Sequence, residues 1–248
     1  MGMRRVLLRG IAPAVVMLLL MALPAAAQEF SLDLGQGGGS ITTRSIQLIA
    51  LITILSLAPG IAIMVTCFPF VVTVLAILRQ ALGLQQSPPN MLIVSLALFL
   101  TWFVMEPVFT AAWDNGVGPL TRDEVTLLSA APEIIRPFHE FMAVRVDPDT
   151  FAAMAELREL SVTVPDADTP LSVLVPSFLL SEISRAFQIG FLIFLPFLII
   201  DLVVAAILMS MGMMMVPPAI VSLPFKLAFF VVADGWSLIA SSLVRSYM

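Results

Sequence analysis

Six ionisable residues stand in or beside long apolar runs: Glu106, Glu182, Arg185, Asp201, Lys226 and Asp234. A charged side chain at a helix centre in lipid costs at least about 2.5–3.5 kcal/mol, so each must face protein, a partner or water. Two chemistries fit. One is a proton or ion relay; the other is pairing of opposite charges within or between chains. A relay needs acids stacked on one helix face. No second or third acid is stacked in that way, so pairing is the reading we take. Lys226 has no acid three or four residues away, whereas Glu182 has Arg185 at that spacing as a local rival. The expectation is a buried or intersubunit pair of Glu182 with Lys226.

The second concentration of chemistry is Met209-Ser210-Met211-Gly212-Met213-Met214-Met215. It holds five of the 15 methionines and runs into Val216-Pro217-Pro218. Three readings are open. Methionine is a good helix former, so this could be an apolar helix end. Thioethers are soft ligands suited to Cu(I). Methionine is also unbranched and polarisable, so a loop of it makes a deformable apolar seal. Gly212 and Pro217-Pro218 favour a loop. No histidine, and no cysteine but Cys67, accompanies the cluster, which weakens copper.

No enzyme constellation is present: there is no Gly-x-Ser-x-Gly, no His-Glu-x-x-His and no P-loop. Cys67 and His139 are single, so an internal disulfide and a zinc cluster are excluded. His139 is expected at the surface. No catalytic residue, metal or cofactor is expected.

The surrounding composition says what must position these groups. Of 248 residues, 60% are apolar and only 12% charged, with a mean hydropathy of +1.05. Soluble domains carry about 25% charged residues. So little polar surface excludes a soluble globule and a disordered chain. A net charge of −5 with scattered cations disfavours nucleic acid. An all-α integral membrane protein remains.

Residues 1–27 have the form of a cleavable signal peptide. Arg4, Arg5 and Arg9 precede a short apolar run, Ile11 to Leu23, which is too short for a comfortable span. Small residues follow, so cleavage is expected between Ala27 and Gln28. The competing reading is an uncleaved first membrane helix. Residues 28–45 form a Gly-rich linker. Residues 46–113 hold two apolar stretches, Ile46 to Leu78 and Met91 to Trp113. The first would reach about 50 Å as one helix against roughly 30 Å of hydrocarbon. It is therefore either one kinked, tilted helix or two pieces, with Pro59-Gly60 and Pro69 as interruptions.

Residues 114–173 differ in kind. Asp114 to Glu182 carries 12 of the 17 acids and only four cations, Arg122, Arg136, Arg145 and Arg158. Thr121-Arg122-Asp123-Glu124 has capping-box spacing. Asp147-Pro148 places a capping acid before proline at a first helical position, ahead of a helix over Asp149 to Leu160. This is a polar helical module outside the membrane, on the extracytoplasmic side by its lack of cations. Residues 174–248 hold the third and fourth apolar stretches, Leu174 to Met215 and Ala219 to Val244, around the methionine run.

Two segments in the C-terminal part resemble the signatures of the FliP/SctR family: Pro176-Ser177-Phe178-Leu179-Leu180-Ser181-Glu182-Ile183-Ser184-Arg185-Ala186-Phe187-Gln188-Ile189-Gly190-Phe191 and Pro224-Phe225-Lys226-Leu227-Ala228-Phe229-Phe230-Val231-Val232-Ala233-Asp234-Gly235-Trp236. Leu195 to Asp201, Arg79 to Gly83 and Pro88-Pro89-Asn90 fit the same pattern. Ser177 departs from it, since a small alanine is more usual there.

The resemblance covers the whole mature chain. It implies a core subunit of a bacterial type III protein export gate in the inner membrane. Such a subunit assembles with further copies of itself and with FliQ-type and FliR-type membrane subunits. It contacts the large export-gate membrane component associated with the ATPase, and unfolded proteins pass through the pore. The signal peptide points to the flagellar branch, the injectisome branch being the alternative. The resemblance also implies helical hairpins raised toward the periplasm and a pore gate at Met209, Met211, Met213, Met214 and Met215; the Glu182–Lys226 pair, read from the residues themselves, is expected between neighbouring copies. A secondary transporter would need an inverted repeat, and none is visible between the two halves. A copper exporter would need methionine clusters along a path, and there is one cluster.

Overall fold

The computed structural model describes residues 41–84, 88–160, 164–213 and 215–248. Among these every regular element is a helix: α1 (Ile41–Met64), α2 (Phe68–Ala81), α3 (Asn90–Ala112), a π-helical turn (Trp113–Val117), α4 (Gly118–Thr121), α5 (Leu127–Arg145), α6 (Pro148–Glu156), α7 (Leu171–Ser210), α8 (Pro218–Val232) and α9 (Gly235–Arg245). The all-α expectation is met. The chain divides into two compact units, Met1–Leu51 and Ile52–Met248. The described part of the first is the opening of α1. All that follows concerns the second.

The long first apolar stretch is two pieces. Helix α1 stops at Met64 and α2 starts at Phe68 with a bend of 64°. The break falls just before Pro69, which enters the first turn of α2, where its missing N–H has no partner to lose. Thr66 holds the corner by donating its hydroxyl to the Ile63 carbonyl at 3.1 Å. Pro59 lies inside α1 and does not end it.

Helix α2 is the centre of the packing. Phe70, Val71, Val74, Leu75 and Leu78 recur at helical spacing and are all at most 3% exposed. They form one core with Ile93, Ala97 and Leu100 of α3, Ala186 and Phe197 of α7, Phe230 of α8, and Ile239 and Leu243 of α9. Gly190 lets α7 come close to α2, since a Cβ there would lie 2.4 Å from Ile77 Cδ1. A second core joins Met142 and Val146, at the end of α5, with Phe151 and Ala155 of α6 and Val173, Leu174 and Phe178 of α7. The acidic helices thus lean on the foot of the longest apolar one.

Helix α7 runs unbroken for 40 residues through Pro176 and Pro196. At about 1.5 Å per residue it measures about 60 Å, twice a bilayer's hydrocarbon thickness. The fourth apolar stretch, in contrast, bends by 61° between α8 and α9. Asp234 takes the left-handed conformation there (φ +48°). A Cβ at Gly235 would meet the Phe230 ring at 2.2 Å. Two single helices, Asn90–Thr121 and Leu171–Ser210, are long and apolar enough to cross a membrane, and up to four spans result if each bent pair counts as one.

One capping expectation is overturned. Thr121 ends α4 and donates its hydroxyl back to the Gly118 carbonyl at 2.8 Å, while Glu124 turns to the Arg122 guanidinium at 2.8 Å. Both side chains are thus engaged elsewhere, and α5 opens at Leu127 without a side-chain cap. The other start signal holds. Asp147 Oδ1 accepts the Thr150 amide at 2.9 Å, opening α6, which ends at Glu156 and not at Leu160.

Candidate functional site

Three places concentrate the chemistry. The first lies where α5, α7 and the segment after α9 meet. Glu182, one turn past Phe178 on the buried face of α7, is 0% exposed. Arg145, in the last turn of α5, reaches Glu182 Oε1 with Nη2 at 3.2 Å and with Nε at 3.4 Å. Its Nη1 donates to the Ser246 carbonyl at 2.6 Å. The guanidinium also lies 3.8 Å over the Tyr247 ring, a cation–π contact. Tyr247 in turn donates its hydroxyl to Glu182 Oε2. Burial, with the Glu182 charge beside it, pushes the phenol well above its ordinary range, so it keeps its proton and acts as donor. Both carboxylate oxygens and three guanidinium nitrogens are engaged, as a desolvated pair requires.

The second place joins α7 and α8. Lys226, 5% exposed, donates to Asp201 Oδ2 at 2.6 Å and to the Ala81 carbonyl at the end of α2 at 3.1 Å. Ser222, one turn before Lys226, donates to Asp201 Oδ1. Gly83 (φ +77°) turns the chain beside this ammonium, and a Cβ there would lie 3.9 Å from Nζ.

Within the chain, then, Glu182 and Lys226 do not meet. The version of the expected pair that would close inside one copy is therefore corrected: two separate pairs form there instead, because each buried charge is neutralised by a group that packing brings beside it. Three of these partners were missed by sequence reasoning. Arg145 was assigned to the polar module, and Tyr247 and Ser222 carried no charge to draw attention. The available signals were that Tyr247 is the chain's single tyrosine and that Ser222 precedes Lys226 by one turn. Asp201, already marked as needing a partner, precedes Lys226 by 25 residues.

The third place is the methionine run. Met209 and Ser210 close the last turn of α7, and Gly212 (φ +72°) then turns the chain out of the helix. Met211, Met213 and Met215 lie in the connection to α8 and are 66%, 43% and 97% exposed, with Met209 at 60%. The run is therefore an apolar turn facing outward. Met214, Ala27 and Gln28 lie outside the described residues.

Glu106 on α3, Arg185 on α7 and Asp234 between α8 and α9 are exposed. His139 is half-buried, its Nε2 2.9 Å from the Thr169 carbonyl.

Long apolar helices whose buried charges are neutralised in internal pairs define an integral membrane protein. The FliP family model matches residues 51–243, most of the chain. The chain belongs to the FliP family. Its relatives include the "Flagellar biosynthetic protein FliP" of Caulobacter vibrioides, 48% identical over 245 residues, which cover 99% of this chain and 92% of the relative. Proteins of the same name in Bacillus subtilis and Aquifex aeolicus are 44% and 42% identical. They align over 83% and 94% of this chain, and over 93% and 98% of their own lengths.

Proposed function

We propose that this chain is a core subunit of the flagellar type III protein export gate in the bacterial inner membrane. It lines part of the pore through which unfolded flagellar proteins cross. The observation that carries this reading is the family match over residues 51–243. The outward-facing methionine turn supports it further: a single chain leaves four large thioether side chains at least 43% exposed in one place. A ring of such turns from several copies closes by apolar contact and disfavours water in the constriction. It also repacks around polypeptides of varying shape, since methionine has three rotatable bonds and no branch.

In this reading the chain works beside further copies of itself and FliQ-type and FliR-type subunits, and touches the large ATPase-associated membrane component. Residues 1–27 are a signal peptide removed after Ala27, and 28–45 are a linker. Residues 46–113 and 174–248 are the two hydrophobic hairpins, and the acidic module 114–173 lies in the periplasm.

The test is affinity purification of the full chain from detergent-solubilised membranes. A stable complex with two other small apolar membrane proteins is the expected result. A lone monomer that binds Cu(I) would overturn the reading. N-terminal sequencing of the same preparation should begin at Gln28, and a retained Met1 would overturn the leader assignment.

A further inference from the structure

The two single-helix candidate spans, Asn90–Thr121 and Leu171–Ser210, carry five ionisable residues: Glu106, Asp114, Glu182, Arg185 and Asp201. Glu182 is answered by Arg145 and Asp201 by Lys226. Asp114 is exposed in the π-helical turn near the end of its span, where the chain passes into the polar module. Glu106 and Arg185 remain. Both are exposed, and among the described residues neither takes an ion pair or hydrogen bond. One is an acid and the other a base. Left in hydrocarbon, each is unfavourable by at least a factor of roughly 50 in an equilibrium constant.

We propose that Arg185 of one copy of this chain pairs with Glu106 of the next. The inference rests on the self-assembly put forward above. A lipid phosphate would answer Arg185 but leave Glu106 stranded; a second copy of this chain answers both at once.

Within one copy the two groups lie within about 10 Å of one another along the helix axes, so copies set side by side with little axial offset bring them together. Gly116 lies against Ile134, and Phe109 lies 5.8 Å from Phe138 between ring centres, so α3 and α5 run antiparallel. Glu106, one turn before Phe109, is therefore level with Phe141, one turn after Phe138. Phe141 packs on Phe178 of α7 at 5.8 Å. Arg185 lies seven residues beyond Phe178, about 10 Å along the axis, and the long arginine stem reaches along its helix.

The receiving surface is also formed. Arg185 borders a recess of about 320 Å³ that it shares with Arg145, Asp147, Ser184 and Gln188. Asp147 Oδ1 there accepts the amide and hydroxyl of Thr150, and no ion pair joins Asp147 to Arg185 among the described residues, while Ser184 and Gln188 offer further donors to a carboxylate. Joining two different patches of identical chains makes a head-to-tail contact, which propagates into a ring or helical run.

The test uses the full chain in its own membranes. Glu106→Cys with Arg185→Cys should give a ladder of disulfide-linked copies on mild oxidation, and neither single variant should. On native gels Arg185→Glu should lower the self-assembled species roughly tenfold, and adding Glu106→Arg should restore it. A double-cysteine variant without a ladder, while the unaltered chain assembles, would overturn the pair and leave the function standing. An unaltered chain that runs as single copies would overturn both. With Cys67 replaced by serine in every cysteine variant, a ladder can arise only from the two introduced thiols; a charge swap that fails to restore assembly would mean that another group answers Arg185 and would likewise overturn the pair.

Discussion

Glu182 illustrates how much depends on one buried carboxylate. It has no exposure at all, so its charge is tolerable only while Arg145 and Tyr247 remain in place. Arg145→Met should destabilise the detergent-solubilised protein by about 3–5 kcal/mol, because the acid is stranded. Adding Glu182→Leu should recover most of that loss. Tyr247→Phe removes a single bond to a charged acceptor and should cost about 1.5–3 kcal/mol, less than Arg145→Met. Thermal unfolding of the three variants beside the unaltered chain checks the order, and equal losses for Arg145→Met and the double variant would refute it. That Glu182, Asp201 and Lys226 need partners was legible, since charge in an apolar run is unstable anywhere. Which partners they take was not. Arg145, 37 residues away, and Tyr247, 65 residues away, are delivered by packing, on which local spacing is silent.

At the scale of elements, close approach and capping decide where helices touch and begin. Gly190→Ala would bring a Cβ to 2.4 Å from Ile77 Cδ1, 3.0 Å from Cγ2 and 3.3 Å from Cβ. Rotating one branch away leaves the other in contact, so α2 and α7 must part, at about 1–3 kcal/mol. Ile77→Ala in the same chain should relieve the clash and raise the melting temperature again. The cap of α6 behaves differently. The Thr150 amide, and then its hydroxyl, hold the Asp147 carboxyl below its ordinary value of 3.8. A carboxyl lowered in the folded state contributes stability above its unfolded pKa, and that contribution is lost as pH falls through the folded value. Amide exchange in α6, corrected for intrinsic rates, should therefore be flat above about pH 4 and rise on further acidification. Asp147→Asn should abolish that rise. Asp147-Pro148 was readable as a start because a capping acid directly precedes a proline, and proline is favoured in a first turn. Thr121 to Glu124 misled, because its capping spacing is equally that of a turn closed by an Arg122–Glu124 pair. The α8–α9 bend was visible as Asp234-Gly235, a turn dipeptide, but was masked by apolar residues on both sides.

For the whole molecule, helical class and membrane class were set by composition, while the number of helices was settled by breaks within the apolar stretches and their division of labour by contacts far apart in sequence. The methionine turn belongs at this scale, since its role is collective. Replacing Met209, Met211 and Met213 together with alanine should leave assembly intact, because these side chains are largely exposed in one copy, yet make resting cells leak small ions. Export should persist, since the constriction widens. Conductance beside a motility assay measures both, and a tight, fully exporting variant would return the turn to an ordinary helix end. A last consequence follows from the phenol on Glu182. Arg145 is synthesised before Glu182, but Tyr247 comes 65 residues later. At about 5–20 residues per second, a growing chain spends roughly 3–13 seconds with that carboxylate only half satisfied. The core around it therefore reaches its final arrangement only once Tyr247 has followed, and the segment after α9 acts as a clasp that the ribosome delivers after the parts it fastens.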